Sequence, residues 1–371
     1  MSNTFREFLK KVGSGPHTGK DLTRAEAAEA TRLMLTQEAT PAQIGAFMIA
    51  HRIKRPTSEE LAGTLDAYEQ LGPHLEAITA SYPAVVMGIP YDGRSRTAPL
   101  GPLIALLLAA VDCPVIQHGG DRLPTKYGIS LTELWKGLGV DWTTLTLTEV
   151  QHVLEQTKLA YLYLPNHFPE AHALVPYREQ IGKRPPFATV ELAWCPYRGD
   201  VKLISGYVHP PTESLFQGIA ELRQVPTLIT VKGLEGSCDL PRDRTSIIGI
   251  NHFIGSESTF DRILLHPRDY DLGGLEVPLP DDQTMIQELQ DVLNGAAGDL
   301  TQAVILNGGF YLWQCGHAPS LEEGFRIAQT LLREGQALQK LNELKAALQK
   351  PLEPVYLDNR VERIPATKPN F

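Results

Sequence analysis

Ala84-Val85-Val86-Met87-Gly88-Ile89-Pro90-Tyr91-Asp92-Gly93-Arg94-Ser95-Arg96-Thr97-Ala98-Pro99-Leu100-Gly101 is where this 371-residue chain changes its local grammar. The short apolar run at its start, closed by glycine and proline, reads as a strand entering a loop. Leu103 to Val111 then reads as helix, so the unit is strand, loop, helix. Upstream the sequence is helical. Thr23 with Glu26, and Thr40 with Pro41 and Gln43, have the spacing of capping boxes, and Thr57 precedes Glu59 and Glu60, whose charges suit a helix start. Downstream, Cys113 to Gly120, Leu159 to Leu164 and Thr227 to Val231 are further strand candidates, each leaving into polar or glycine-rich sequence. The segment from Gln302 to Leu348 reads as helix. Such alternation predicts an α/β protein: a small N-terminal helical-bundle domain, then a large α/β domain with a mostly parallel central sheet flanked by helices. Ligands are expected at the carboxyl ends of its strands.

Composition narrows the class. Hydrophobic residues at 43% and charged residues at 21% are near globular averages, and no segment has the length and apolarity of a membrane span. The N-terminal residues Met1 to Glu7 lack the apolar core of a secretion signal, so a cytoplasmic protein is expected. Cys113, Cys195, Cys238 and Cys315 have no paired spacing and are expected as free thiols. A formal charge of -9 argues against a generally basic nucleic-acid binder while leaving room for a local basic patch.

Two groups of motifs carry a family resemblance. Asp21-Leu22-Thr23 with Glu38-Ala39-Thr40-Pro41-Ala42-Gln43-Ile44-Gly45-Ala46-Phe47 resembles the helical-domain signature of the anthranilate phosphoribosyltransferases. Ala303-Val304-Ile305-Leu306-Asn307-Gly308-Gly309 through Ser320-Leu321-Glu322-Glu323-Gly324 resembles the same family's last helices. The expected division is a helical domain over residues 1–75, onto which helices from about 165–190 pack, and an α/β domain over 76–371. The resemblance implies phosphoribosyl transfer from phosphoribosyl pyrophosphate to an aromatic or nitrogen acceptor, the family's step in tryptophan biosynthesis, with magnesium accompanying the pyrophosphate.

The loop quoted at the outset departs from that family's Gly-Thr-Gly-Gly-Asp-Gly. Gly88, Asp92 and Gly93 persist, while Ile89, Pro90 and Tyr91 bring side chains where bare backbone would approach phosphate, and Pro90 removes an N–H. Arg94 and Arg96 are new cations, read either as bidentate phosphate ligands or as solvated loop residues. A second phosphate signature falls on Gln117-His118-Gly119-Gly120-Asp121-Arg122 leading to Lys126-Tyr127-Gly128. It keeps His118 and Lys126 but loses one charge at Gln117 and reverses one at Asp121. By this resemblance Gly88, Asp92, Gly93, Arg94, Arg96 and Lys126 are candidate phosphate or pyrophosphate ligands. On the acceptor side, Leu164-Pro165-Asn166-His167-Phe168-Pro169 and Val175-Pro176-Tyr177-Arg178 match family motifs. They make Arg178 the expected holder of the acceptor's carboxylate, with His118 lining its pocket; the alternative for Arg178 is a salt bridge to Glu179 or Asp200. The family's Asp-Gly-Leu-Asp-Glu metal loop reads here Glu235-Gly236-Ser237-Cys238-Asp239, leaving Glu235 and Asp239 as candidate magnesium ligands and Cys238 as a poor one.

These substitutions are closest to a divergent second group of the family, thought of as nucleic-acid-binding homodimers. A rival expectation follows: a non-catalytic dimer binding single-stranded nucleic acid along Arg52, Lys54, Arg55, Arg94, Arg96, Lys183, Arg184, Arg198 and Lys202, with Tyr91 and Trp194 as stacking faces.

Overall fold

The computed structural model describes residues 3–15, 17–254 and 257–349, so the expected α/β domain beyond residue 349 lies outside the described residues. Four helices open the chain: α1 (Asn3–Gly13), α2 (Arg24–Leu35), α3 (Pro41–Lys54) and α4 (Ser58–Leu71). Capping boxes start three of them, Thr23 with Glu26, Thr40 with Gln43 and Thr57 with Glu60. In each the threonine hydroxyl accepts from the third backbone N–H while that residue's side chain accepts from the cap. Glu60 does more than cap. Its carboxylate also accepts from the Leu22 N–H at 2.9 Å and from Lys54 Nζ at 2.8 Å, tying the α1–α2 connection and the end of α3 to α4.

The remainder is wound on a seven-stranded sheet, with β1 (Ala84–Gly88), β2 (Val115–Gly119), β3 (Leu159–Tyr163), β4 (Val201–Gly206), β5 (Thr227–Val231), β6 (Ser246–Ile254) and β7 (Glu257–Leu265) in the order β3-β2-β1-β4-β5-β6-β7. The first five strands pair in parallel, and β6 and β7 extend the sheet as an antiparallel hairpin. The parallel strands are buried on both faces, which is why β1, β2, β3 and β5 show in the sequence as continuous apolar runs. The sequence reading missed β4 and the hairpin. Lys202 interrupts β4, and β7 is mostly exposed, so neither has that signal.

Helices cover the sheet: α5 (Gly101–Ala110), α6 (Leu131–Gly137), α7 (Leu147–Thr157), α12 (Pro210–Leu222), α13 (Asp282–Leu293), α14 (Asp299–Cys315), α15 (Leu321–Arg333) and α16 (Gln336–Gln349). Nine of the ten residues of α5 are buried, as expected of a helix enclosed between sheet and further helices. The single helix expected from Gln302 to Leu348 is three, broken where Gly316 and Gly335 take positive φ. Between β3 and β4 lie four short helices: α8 (Leu164–His167), α9 (Pro169–His172), α10 (Val175–Ile181) and α11 (Phe187–Val190). Of these, α10 packs on α3 and α11 on α4. This crossover brings Arg178, Arg184 and Glu191 from the helical side to the carboxyl ends of the strands.

Candidate functional site

The loop after β1 is fixed by backbone approach. A Cβ on Gly88 would stand 2.1 Å from the Leu192 carbonyl oxygen, and one on Gly93, at φ +73°, would stand 2.5 Å from that of Ile129. Both glycines are thus required by the close approach of chain to chain, a reason separate from the phosphate contact expected of them.

Arg94 lies inside the protein, with 2% of its surface exposed. Its Nη1 donates to Asp239 Oδ2 at 2.6 Å and to Ser237 Oγ at 2.7 Å, its Nε reaches Glu235 Oε1 at 3.4 Å, and its Nη2 donates to Thr97 Oγ1. Neither sequence reading, phosphate ligand or solvated loop cation, anticipated this. Arg96, in contrast, has a side chain 77% exposed and only a 3.8 Å approach to Glu235.

Glu235 is saturated. Oε1 accepts from the backbone N–H of Arg96 at 3.0 Å and Thr97 at 3.1 Å and from Thr97 Oγ1 at 3.0 Å. Oε2 accepts from Ser95 N–H at 3.3 Å and Ser95 Oγ at 3.2 Å, with Lys126 Nζ 3.4 Å away. Against the cost of burial, Arg94, Lys126 and these N–H groups hold its carboxyl down at about 2. Asp239 Oδ2 takes the Leu100 N–H at 3.3 Å besides Arg94. Cys238 turns into the core, its thiol donating to the carbonyls of Gly88 at 3.4 Å and Ile204 at 3.5 Å; burial raises its pKa. The two carboxylates expected to hold magnesium hold Arg94 instead, and among the described residues no group of three or more His, Cys, Asp and Glu side chains is arranged for a metal ion. A hard divalent cation needs several free oxygens, so these residues do not fit one.

Across the site stands a second ion cluster. Arg178, 4% exposed, meets Glu191 through Nη1 at 3.2 Å and Asp92 through Nη2 at 3.9 Å. Its partners are therefore neither Glu179 nor Asp200. Asp92 is also held by Arg184 Nε at 2.6 Å, and Arg52 Nε donates to the Arg184 carbonyl at 2.9 Å. Arg178 Nε has no hydrogen-bond partner, and the residue lines a small pocket with Met48, Tyr68, Leu174, Phe187 and Glu191. Burial lifts the Glu191 carboxyl to about 7, partly opposed by Arg178. Sequence reading missed Glu191. Its one signal was a lone charge in the apolar run Thr189 to Trp194.

His118 is 1% exposed; Nε2–H donates to the Trp194 carbonyl at 3.2 Å, so Nδ1 accepts from the Tyr91 hydroxyl at 2.6 Å. Burial lowers its pKa to about 4 and keeps the ring neutral. Tyr91 and Trp194 are themselves buried, so the faces expected to stack on bases are inside. The basic stripe is likewise divided by pairing: Lys54 with Asp21 and Glu60, Arg198 with Glu76, and Lys202 on the Gln314 carbonyl. Lys126 remains partly open, its ammonium 3.2 Å from the Gly93 carbonyl. Gln117, Asp121 and Arg122 serve internal bonds to Trp135, Tyr163 and Glu133.

Residues 6–72 match the helical bundle domain of the glycosyl transferase family, and residues 96–338 match its a/b domain. An anthranilate phosphoribosyltransferase of Symbiobacterium thermophilum is 28% identical, over 92% of this chain and 96% of its own length. An uncharacterized protein of Aquifex aeolicus is 26% identical, over 82% of this chain and 91% of its own length. The structure of anthranilate phosphoribosyltransferase from Saccharomyces cerevisiae in complex with PRPP and Mg superposes with a TM-score of 0.79 at 14% identity, covering 94% of this chain and 98% of that one. No described helix is long and apolar enough to cross a membrane.

Proposed function

Because the chain belongs to the glycosyl transferase family, in both its helical bundle and its a/b domain, we propose that it recognises a phosphorylated ligand in the cleft between them, with phosphoribosyl transfer to an aromatic or nitrogen acceptor as its reaction class. In that reaction the acceptor nitrogen forms a bond to the ribose anomeric carbon, pyrophosphate leaves with the electrons of the broken C–O bond, and the nitrogen's proton passes to solvent. The observation that carries the reading is Arg178: a buried guanidinium with an unpartnered Nε, lining an otherwise mainly apolar pocket, suits a planar carboxylate-bearing acceptor. Phosphates would meet the side chains of Lys126, Arg96 and Arg184. His118, bonded and neutral, supports the pocket from behind: it packs on Trp194, which packs on the lining residue Tyr68.

A homodimer belongs to the same reading. The groove between α1 and α3 combines the small residues Gly13, Ser14, Ala46 and Ala50 with Leu9 and the cations Arg6 and Lys10, and sedimentation at micromolar concentration tests whether a second copy seats there. The nucleic-acid reading retains one supporting observation, that Arg52, Arg55, Lys183 and Arg96 are exposed.

Calorimetry separates the readings. Anthranilate is expected to bind saturably, and Arg178→Met to weaken it by about tenfold or more. Phosphoribosyl pyrophosphate should bind more weakly after Lys126→Ala. Binding of a short single strand with a steep salt dependence, and of neither small ligand, would replace this proposal with the nucleic-acid one.

A further inference from the structure

Three successive backbone N–H groups, those of Ser95, Arg96 and Thr97, converge on one point with the hydroxyls of Ser95 and Thr97 beside them. Such a concavity of N–H groups is an anion site by geometry. Its occupant here is the protein's own Glu235 carboxylate, carried on a residue held at φ 54°, ψ 21°, a left-handed conformation uncommon for a non-glycine residue. The matching cation is also internal. Arg94 places its guanidinium between Glu235 and Asp239, and two of its other three N–H groups donate to Ser237 and Thr97.

We infer that Arg94 and Glu235 form an internal ion lock that fills both the cation and the anion places of this loop, so that no divalent metal binds there and any entering phosphate must displace Glu235. The inference goes beyond the proposed transfer reaction, since it concerns what the loop holds without substrate.

Three features carry it. A carboxylate offers about four lone-pair directions, and Glu235 already has more donors than that, so a metal gains no oxygen from it without breaking the loop. Asp239 alone would offer a divalent cation a single carboxylate, whose Oδ2 already holds Arg94 and the Leu100 N–H and whose neighbouring guanidinium repels a second cation. Cys238, next to Asp239 in sequence, donates to core carbonyls and points away from the loop. Glu235 is therefore the loop's built-in competitor for anions, and neutralising it should free the N–H groups for an external one.

The test uses the full chain, with manganese as the metal probe, followed by electron paramagnetic resonance, and inorganic pyrophosphate as the anion probe, followed by calorimetry with and without a chelator. The native protein should show no stoichiometric manganese site. Pyrophosphate binding should be unaffected by the chelator, and Glu235→Gln, which keeps an acceptor oxygen but no charge, should tighten it by about tenfold. One manganese ion bound by the native protein and lost in Asp239→Asn would overturn the inference, as would an unchanged pyrophosphate affinity in Glu235→Gln. Should Glu235→Gln not fold, the native protein against Asp239→Asn, and Arg94→Lys as a variant that keeps the cation and must also bind no manganese, decide it. Anthranilate binding at Arg178 is read separately, so the acceptor-site proposal and the ion lock fail independently.

Discussion

Arg94 and Arg178 are both buried guanidiniums facing two carboxylates, yet they are finished differently. Around Arg94 the distances reach 2.6 Å, Glu235 accepts from three backbone N–H groups and two hydroxyls, and Asp239 Oδ2 takes the Leu100 N–H besides Arg94. Around Arg178 the contacts are 3.2 and 3.9 Å, one nitrogen has no partner, and one of the two carboxyls sits near neutrality in its titration. A buried charge is retained without loss of stability only when partners replace its water. The first cluster meets that condition more fully; the second leaves Arg178 Nε without a partner. On the proposed function, that contrast separates a self-contained structural cluster from the cluster that would receive the acceptor.

The largest expected effect comes from removing each arginine. Arg94→Met leaves Asp239 buried without its cation and Glu235 with only Lys126 and the exposed Arg96 near it, and should cost about 3–5 kcal/mol of unfolding free energy in urea at pH 7. Arg178→Met should cost only about 1–2 kcal/mol, because Glu191 can take up a proton and Asp92 keeps Arg184. Equal losses in the two variants would erase the distinction.

Titration sharpens it, because the two glutamates act in opposite directions. Glu235, depressed to about 2 from the ordinary 4.5, contributes stability that is full above pH 4.5 and lost as pH falls through 2. Glu191, raised to about 7, contributes stability that is full below pH 4.5 and lost as pH rises through 7. Each shift corresponds to up to about 3 kcal/mol. Glu191→Gln should therefore flatten the decline of the melting midpoint between pH 5 and about 8, while Glu235→Gln should flatten the decline below about pH 4. An alkaline decline that survives in Glu191→Gln would show that its carboxyl is not the group responsible.

The smallest effect is expected at the rim. Lys126 is partly open and its bonds are long, so Lys126→Ala should change stability by less than about 1 kcal/mol while lowering affinity for pyrophosphate several-fold. A large loss of stability there would place Lys126 with the structural cluster, next to Arg94.

Much of the fold was legible because its signals are local. Each capping box spans four residues and depends on nothing farther away, so Thr23, Thr40 and Thr57 announce their helices in the sequence itself. The doubly buried strands β1, β2, β3 and β5 do so through composition, since both faces must be apolar. The hairpin β6–β7 did not, because an exposed edge strand can carry Asp261 and Arg262 beside Phe260 and so loses the apolar pattern. Sequence alone also fixed the chemistry available to the loop: two arginines, a lost N–H at Pro90, and a cysteine in place of a carboxylate.

Which charges meet was decided by the path of the chain. Arg94 and Asp239 are 145 residues apart, and Asp92 and Arg184 are 92 apart, so no spacing rule relates them. Tertiary structure brought Arg94 inward onto Glu235 and Asp239 and left Arg96 in solvent, though the two arginines are only two residues apart and looked equivalent in the sequence. The physical reason is range. Capping and strand burial are settled by neighbours and composition, whereas a buried ion pair requires that folding deliver both partners to the same place and exclude water from between them.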